Sequence, residues 1–259
     1  MTKPRLGSCL SGVGGIDLGF HYAEWEIAWQ VERDPYKLAV LARMWPEVPH
    51  YQDLFALKGS ELPQADCIVI DCPLHRYRDD MALLASALQL AEVWLPEFFI
   101  VCLPCAVQFR DEGADWEPLL AALAAHGYQA SSFQTSVGHG TFWWERTWLI
   151  GHRHPLGSGL AQCIGLRQLF YDAVDHKERD RLCHGRLDYG DLGGAECDLA
   201  FPKLWTCICD GRFSSVPCTS EARDMALRQA TCVDVSAWLA KLLLEELKIL
   251  AGEVVDAAK

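Results

Sequence analysis

The sequence predicts an α/β fold built on a doubly wound parallel sheet. Three observations lead there. Short continuous apolar runs such as Cys67–Ile70 (CIVI) and Phe98–Cys102 (FFIVC) have the character of strands buried on both faces. Segments of helical period separate them, at a spacing suited to right-handed crossovers. A glycine-rich turn, Ser11–Gly15 (SGVGG), joins the first strand to the first helix, where α/β proteins place their ligands.

Taken in order, Arg5–Leu10 is predicted as a strand entering that turn, Ile16–Ala23 as a helix and Ile27–Val31 as the second strand. Glu32 and Asp34 stand where this strand ends. Tyr36–Met44 places Leu38, Leu41 and Ala42 on one helical face. His50–Asp53 marks a third strand-to-loop transition, and CIVI follows between Asp66 and Asp71. Asp80–Trp94, rich in Ala and Leu, is predicted as a helix before FFIVC. Trp116–His126 is the next helix, with Gly127 as its stop signal, then a strand over Tyr128–Gln134. Trp148–Gly151 (WLIG) closes the series.

The chain has 259 residues, 51% hydrophobic and 22% charged, enough for one large α/β core. Residues 1–151 are read as that core. From 152 to 227 apolar runs shorten while Gly, Asp, His and Cys rise, which predicts a small irregular subdomain. Residues 228–259 return as a helix over Ser236–Leu250, with Trp238, Leu239, Leu242, Leu243, Leu247 and Leu250 available to pack. No run of about 18 apolar residues exists, and MTKPRLGSCLSG lacks a signal-peptide core. The protein is expected to be soluble and cytoplasmic, with its 12 scattered cysteines as packed thiols. A formal charge of −12 opposes strong solitary binding to DNA, which draws affinity from Lys and Arg on phosphates. It suits a protein partner better, a second copy of the chain included.

The turn is the first candidate site. Glycines at 12, 14 and 15 allow positive φ and close approach of backbone to ligand. About 20 residues on, Glu32 is placed to accept the ribose hydroxyls of an adenosine cofactor. Asp53 is placed for the adenine amino group, with Leu54 and Trp45 as apolar walls. The turn reads SGVGG, not GxGxxG, and no Walker lysine follows. S-adenosylmethionine therefore fits better than a dinucleotide.

LGSCLSGVGGIDLGF (Leu6–Phe20) and WQVERDPYKLAVLARMWPEVPHYQDL (Trp29–Leu54) resemble the cytosine-5 DNA methyltransferases, densely over about residues 5–70. The resemblance implies a Rossmann-like methyltransferase core. It implies that Leu10, Ser11, Gly12, Val13, Gly14, Gly15, Glu32, Asp53, Leu54 and Pro73 hold S-adenosylmethionine or S-adenosylhomocysteine. Leu10 stands where the family commonly has Phe. The family's nucleophile is the Cys of a Pro-Cys pair after the fourth strand, attacking a flipped cytosine. In DCIVIDCPLHRYRDD, Pro73 is followed by Leu74, and Cys72 precedes the proline. The family's Glu-Asn-Val triplet falls on Val101, Cys102 and Leu103, so its acid is replaced by Val101. Its Gln-Arg-x-Arg block falls on FWWERTWLIG, where Arg146 matches the last arginine. RQATCVDVSAWLAKLL (Arg228–Leu243) resembles the family's C-terminal helix, with Cys232 at its Asn.

These replacements imply an S-adenosylmethionine-binding relative that does not methylate cytosine and acts as an accessory or regulatory subunit of DNA modification. The alternative is an active enzyme of altered chemistry on DNA or a nucleotide. Its candidate catalytic residues are Cys72, His75 (with Asp71, Asp79 and Asp80 near in sequence) and Arg146. Glu178–Asp198, in the region where the family reads its target, is short and acidic in places. Cys102 and Cys105 form a C-x-x-C that Cys207 and Cys209 would complete, but this is not a standard zinc spacing, and no metal is expected. Phe142, Trp143 and Trp144 suit base stacking, filling of the substrate pocket, or a partner face.

Overall fold

The computed structural model describes residues 2–72, 77–104, 116–139, 142–157, 160–161 and 233–253. For residues 77–80, 136–139, 142–145 and 234 it describes the backbone alone. The strands are β1 (Arg5–Cys9), β2 (Glu26–Val31), β3 (His50–Tyr51), β4 (Cys67–Asp71), β5 (Phe98–Pro104), β6 (Gln129–His139) and β7 (Phe142–His152). The helices are α1 (Gly15–Tyr22), α2 (Pro35–Met44), α3 (Tyr77–Trp94), α4 (Trp116–Ala125) and α5 (Val233–Leu250). Two 3-10 turns, Leu54–Ala56 and Gly59–Glu61, lie between β3 and β4.

The strands form one sheet in the order β3-β2-β1-β4-β5-β7-β6. Neighbours among β1 to β5 are parallel, as the sequence predicts. The remainder is not: β7 runs antiparallel to both β5 and β6. The cause is the connection. Between His139 and Phe142 the chain has no room for a crossover helix, so β6 must return beside itself as a hairpin. The predicted strands Tyr128–Gln134 and Trp148–Gly151 are the inner halves of these longer strands.

Alternating side chains feed two apolar layers. Cys67, Val69, Phe98, Ile100, Trp148 and Ile150 face α1, α2 and α5. Ile68, Ile70, Phe99, Val101 and Leu149 face α3 and α4. This two-sided burial explains why β4 and β5 read as unbroken apolar runs. In the first layer, the Trp25 indole donates to the Ala240 carbonyl at 3.0 Å, fixing α5 against α1. Phe133 stacks on Trp148 and meets Trp238 edge-on, joining the hairpin to α5. Of the residues expected to pack from α5, Leu239, Leu243 and Leu247 are buried and Trp238 and Leu242 partly so. Leu250 is exposed, because the helix ends there and turns away at Gly252. Among the described residues, no helix is long and apolar enough to cross a membrane. The predicted irregular subdomain at 152–227 lies almost wholly outside the described residues.

Candidate functional site

The order of strands reverses between β1 and β4, and the chain leaves β1, β2 and β4 on the same edge of the sheet. In open α/β sheets such a carboxyl edge is where ligands bind. Residues 10–14 leave β1 there, Glu32 ends β2, Asp53 follows β3 and Cys72 follows β4.

The turn is built from left-handed backbone. Leu10 has φ 54°, Gly12 61° and Gly14 83°. For leucine this conformation costs about 1–2 kcal/mol, so strain is stored beside the candidate pocket. Two backbone bonds close the turn: Ser11 N–H to the Val31 carbonyl at 3.0 Å, and Gly14 N–H to the Ser11 carbonyl at 2.9 Å. Gly14 has no room for a side chain, since a Cβ would lie 2.6 Å from the Trp45 ring. Trp45, predicted as a pocket wall, therefore supports the turn from α2. A Cβ on Gly12 would meet nothing within 4 Å, so the turn is open on that side.

Glu32 joins this turn to the end of β2. Its Oε2 accepts the Gly12 amide at 2.9 Å and its Oε1 the Asp34 amide at 2.8 Å. Only 7% exposed, its carboxyl is raised above the usual range by burial, with these backbone bonds opposing the rise. Asp34 in turn caps α2, accepting from the amides of Tyr36 and Lys37. Asp53 is exposed, and its Oδ1 accepts the Phe55 amide at 3.0 Å, capping a 3-10 turn that buries Leu54. Phe55 itself is 58% exposed beside these two predicted residues. Leu10 is half-buried against the α3-side layer, and Val13 is buried in the other.

The residues present fit an adenosine cofactor. An open glycine cradle lies beside a fixed carboxylate whose remaining lone pairs suit hydroxyl donors. The rim contributed by Glu32, Asp34 and Asp53 is acidic, which suits a ligand with hydroxyls and positive charge and opposes a phosphate-bearing dinucleotide.

At the ends of β4 and β5 the groups are different. Register pairs Ile70 with Val101 and Asp71 with Cys102, and the Cys72 amide donates to the Cys102 carbonyl at 2.9 Å. Val101, Cys102 and Leu103 all lie within β5 and are buried. The position level with the last residue of β4 is Cys102, one beyond Val101, and neither is an acid. Cys72 is 2% exposed in the α3-side apolar layer. Arg146 is half-buried on β7, opposite Pro104 and Thr135. Pro73, Leu74, His75 and Cys105 lie outside the described residues, as do Cys207, Cys209 and Cys232. Among the described residues no three His, Cys, Asp or Glu side chains gather as a metal site would.

The sequence reading passes over a buried group of polar side chains under the turn, Ser8, Asp17 and Gln30. A glutamine inside the apolar run IAWQV is the signal that marks it.

Comparison of the sequence with protein-family models and with curated proteins finds no match. Solved structures do match. The Dnmt2 methyltransferase of S. pombe is 11% identical with a TM-score of 0.63, over 95% of this chain and 99% of that one. The Entamoeba histolytica methyltransferase EhMeth is 11% identical with a TM-score of 0.58, over 96% and 100%. A DNA modification methyltransferase candidate from an E. coli prophage is 18% identical with a TM-score of 0.51. That match covers 58% of this chain, which spans about half (47%) of that one. At these identities the likeness shows the fold.

Proposed function

With the α/β fold of the methyltransferases as premise, we propose that this chain binds S-adenosylmethionine or S-adenosylhomocysteine but does not methylate cytosine, and serves as an accessory or regulatory subunit of DNA modification. One observation carries the cofactor half of this reading: Glu32 clamps the amides of Gly12 and Asp34 at the switch point of the sheet. This holds an open turn and a carboxylate in one rigid unit. Ser11–Gly15 would hold the amino-acid end of the cofactor, Glu32 its ribose, and Asp53 with Leu54 its adenine. Bound there, the cofactor supplies an electrophilic methyl group.

The inactive half rests on what surrounds that group. The buried, apolar Val101 and the thiol Cys102 stand where the resemblance expects an acid, and Leu74 follows Pro73 in sequence where it expects the nucleophile. An active enzyme using Cys72 gains little support, because a thiol 2% exposed among apolar side chains is shielded from both water and substrate. The charge of −12 favours a protein partner over unaided DNA binding.

The test joins binding to transfer. The chain is titrated with S-adenosylhomocysteine, then incubated with labelled S-adenosylmethionine and varied DNA. Binding without methyl incorporation or covalent trapping is the expected result. Incorporation into cytosine would overturn the inactive reading.

A further inference from the structure

Beneath the turn, four side chains form a polar group sealed from solvent. Asp17 lies in the first turn of α1 with no exposed surface. Its Oδ1 accepts Gln30 Nε2 at 2.7 Å and its Oδ2 accepts Ser8 Oγ at 3.2 Å. Ser8 Oγ lies 2.9 Å from Ser11 Oγ, and Ser11 opens the glycine turn. Ser8 and Gln30 are register partners on β1 and β2. The chain of contacts thus runs from β2 through α1 and β1 to the turn.

Fold stability alone does not account for this arrangement. Apolar residues of similar volume at such positions are usually neutral or stabilising relative to buried charge. The network is also incompletely satisfied, since Gln30 Oε1 is buried with no hydrogen-bond partner among the described residues. Among the described residues, no cation acts on the carboxylate. The charges acting on it are those of like sign, Asp71 at the end of β4, with the Cys9 thiol also near on β1. Glu32, at the end of β2, accepts from the Gly12 amide.

We propose that Asp17 is a positioning residue for the cofactor turn: its carboxylate, by accepting from Ser8 and Gln30, holds Ser11 and the end of β2 in the arrangement that the cofactor binds. This rests on the reading of the turn as an S-adenosylmethionine site. Ionised Asp17 accepts both bonds, whereas the protonated form gives up part of that capacity. Burial pushes its pKa up to about 6, so the change falls in an accessible range. Cofactor binding favours the ionised form, and affinity falls as the pH drops through that value.

The experiment is calorimetric titration of the full chain with S-adenosylhomocysteine between pH 5 and 8, repeated on Asp17→Asn and Ser8→Ala. Thermal melting without ligand checks that each variant is folded. For the parent, affinity is expected to weaken below pH ~6 by about tenfold in all, levelling off once Asp17 is protonated. Asp17→Asn is expected to weaken binding at pH 7.5 by about tenfold and to flatten the profile. Ser8→Ala, which removes one bond favouring the carboxylate, moves the midpoint upward. Profiles of both variants that superimpose on the parent's would overturn the proposal while leaving the cofactor reading intact. Absence of binding by the parent at every pH would overturn both.

Discussion

Glu32 and Gly12, 20 residues apart in sequence, are joined by a 2.9 Å hydrogen bond from the Gly12 amide to the Glu32 carboxylate. The bond makes the end of β2 and the turn after β1 one unit, and the other oxygen extends it to Asp34 and the start of α2. An adenosine ligand would meet a carboxylate already oriented, so little ordering cost remains at binding.

Removing that carboxylate separates stability from affinity. Glu32→Ala removes the acceptor of two part-buried hydrogen bonds, from the Gly12 and Asp34 amides, which costs about 1–3 kcal/mol in urea unfolding without ligand. The same change is expected to lower affinity for S-adenosylhomocysteine at least ~100-fold, since both the acceptor and the shape of the turn are lost. Equal affinity in parent and variant would place the cofactor elsewhere.

The two turn glycines should respond differently. Gly14→Ala forces a methyl group to 2.6 Å from the Trp45 ring at φ 83°, and a loss of about 2–4 kcal/mol is expected. Gly12→Ala meets open space and should cost only the left-handed penalty, about 1 kcal/mol, while obstructing the ligand. Chemical denaturation and ligand titration of both variants test the pair. Equal destabilisation would contradict the geometry.

Leu10 carries strain that a branched side chain would enlarge. Leu10→Val, at φ 54°, is expected to lose about 1–2 kcal/mol, and Leu10→Asn, better tolerated in left-handed backbone, less than Leu10→Val. Their order in thermal melting is the check, and the reverse order would argue against a strained turn.

Asp17 gives the fold a pH dependence of definite sign. Its folded pKa of about 6 lies above the usual 3.8, burial being the main cause. The folded chain therefore holds this proton more tightly than the unfolded one. The contribution is complete below pH ~3.8 and lost as the pH rises through ~6, a change of about 3 kcal/mol. Asp17→Asn cannot ionise. Relative to the parent it should gain about that much stability between pH 4 and 7.5 while binding the cofactor less well. A stability difference constant across this range would contradict the assignment.

Much of this was legible in the sequence. CIVI and FFIVC announced buried strands because helices cover both faces of β4 and β5, leaving no position for a polar residue. SGVGG with Glu32 announced the turn because backbone at positive φ and a carboxylate at the next strand end are hard to combine by chance. The antiparallel course of β7 was hidden, since a buried strand reads alike in either direction and only its short connection reveals it. The conformation of Leu10 was hidden because leucine does not advertise positive φ. Asp17 and Ser8 were hidden because lone polar residues ordinarily mark solvent-facing positions.

Calorimetric titration of the chain and of Glu32→Ala with S-adenosylhomocysteine tests the central claim most directly. Saturable one-site binding by the parent, abolished or weakened at least ~100-fold in a folded Glu32→Ala variant, is the predicted result. No heat of binding from the parent, or undiminished binding by the variant, would contradict it.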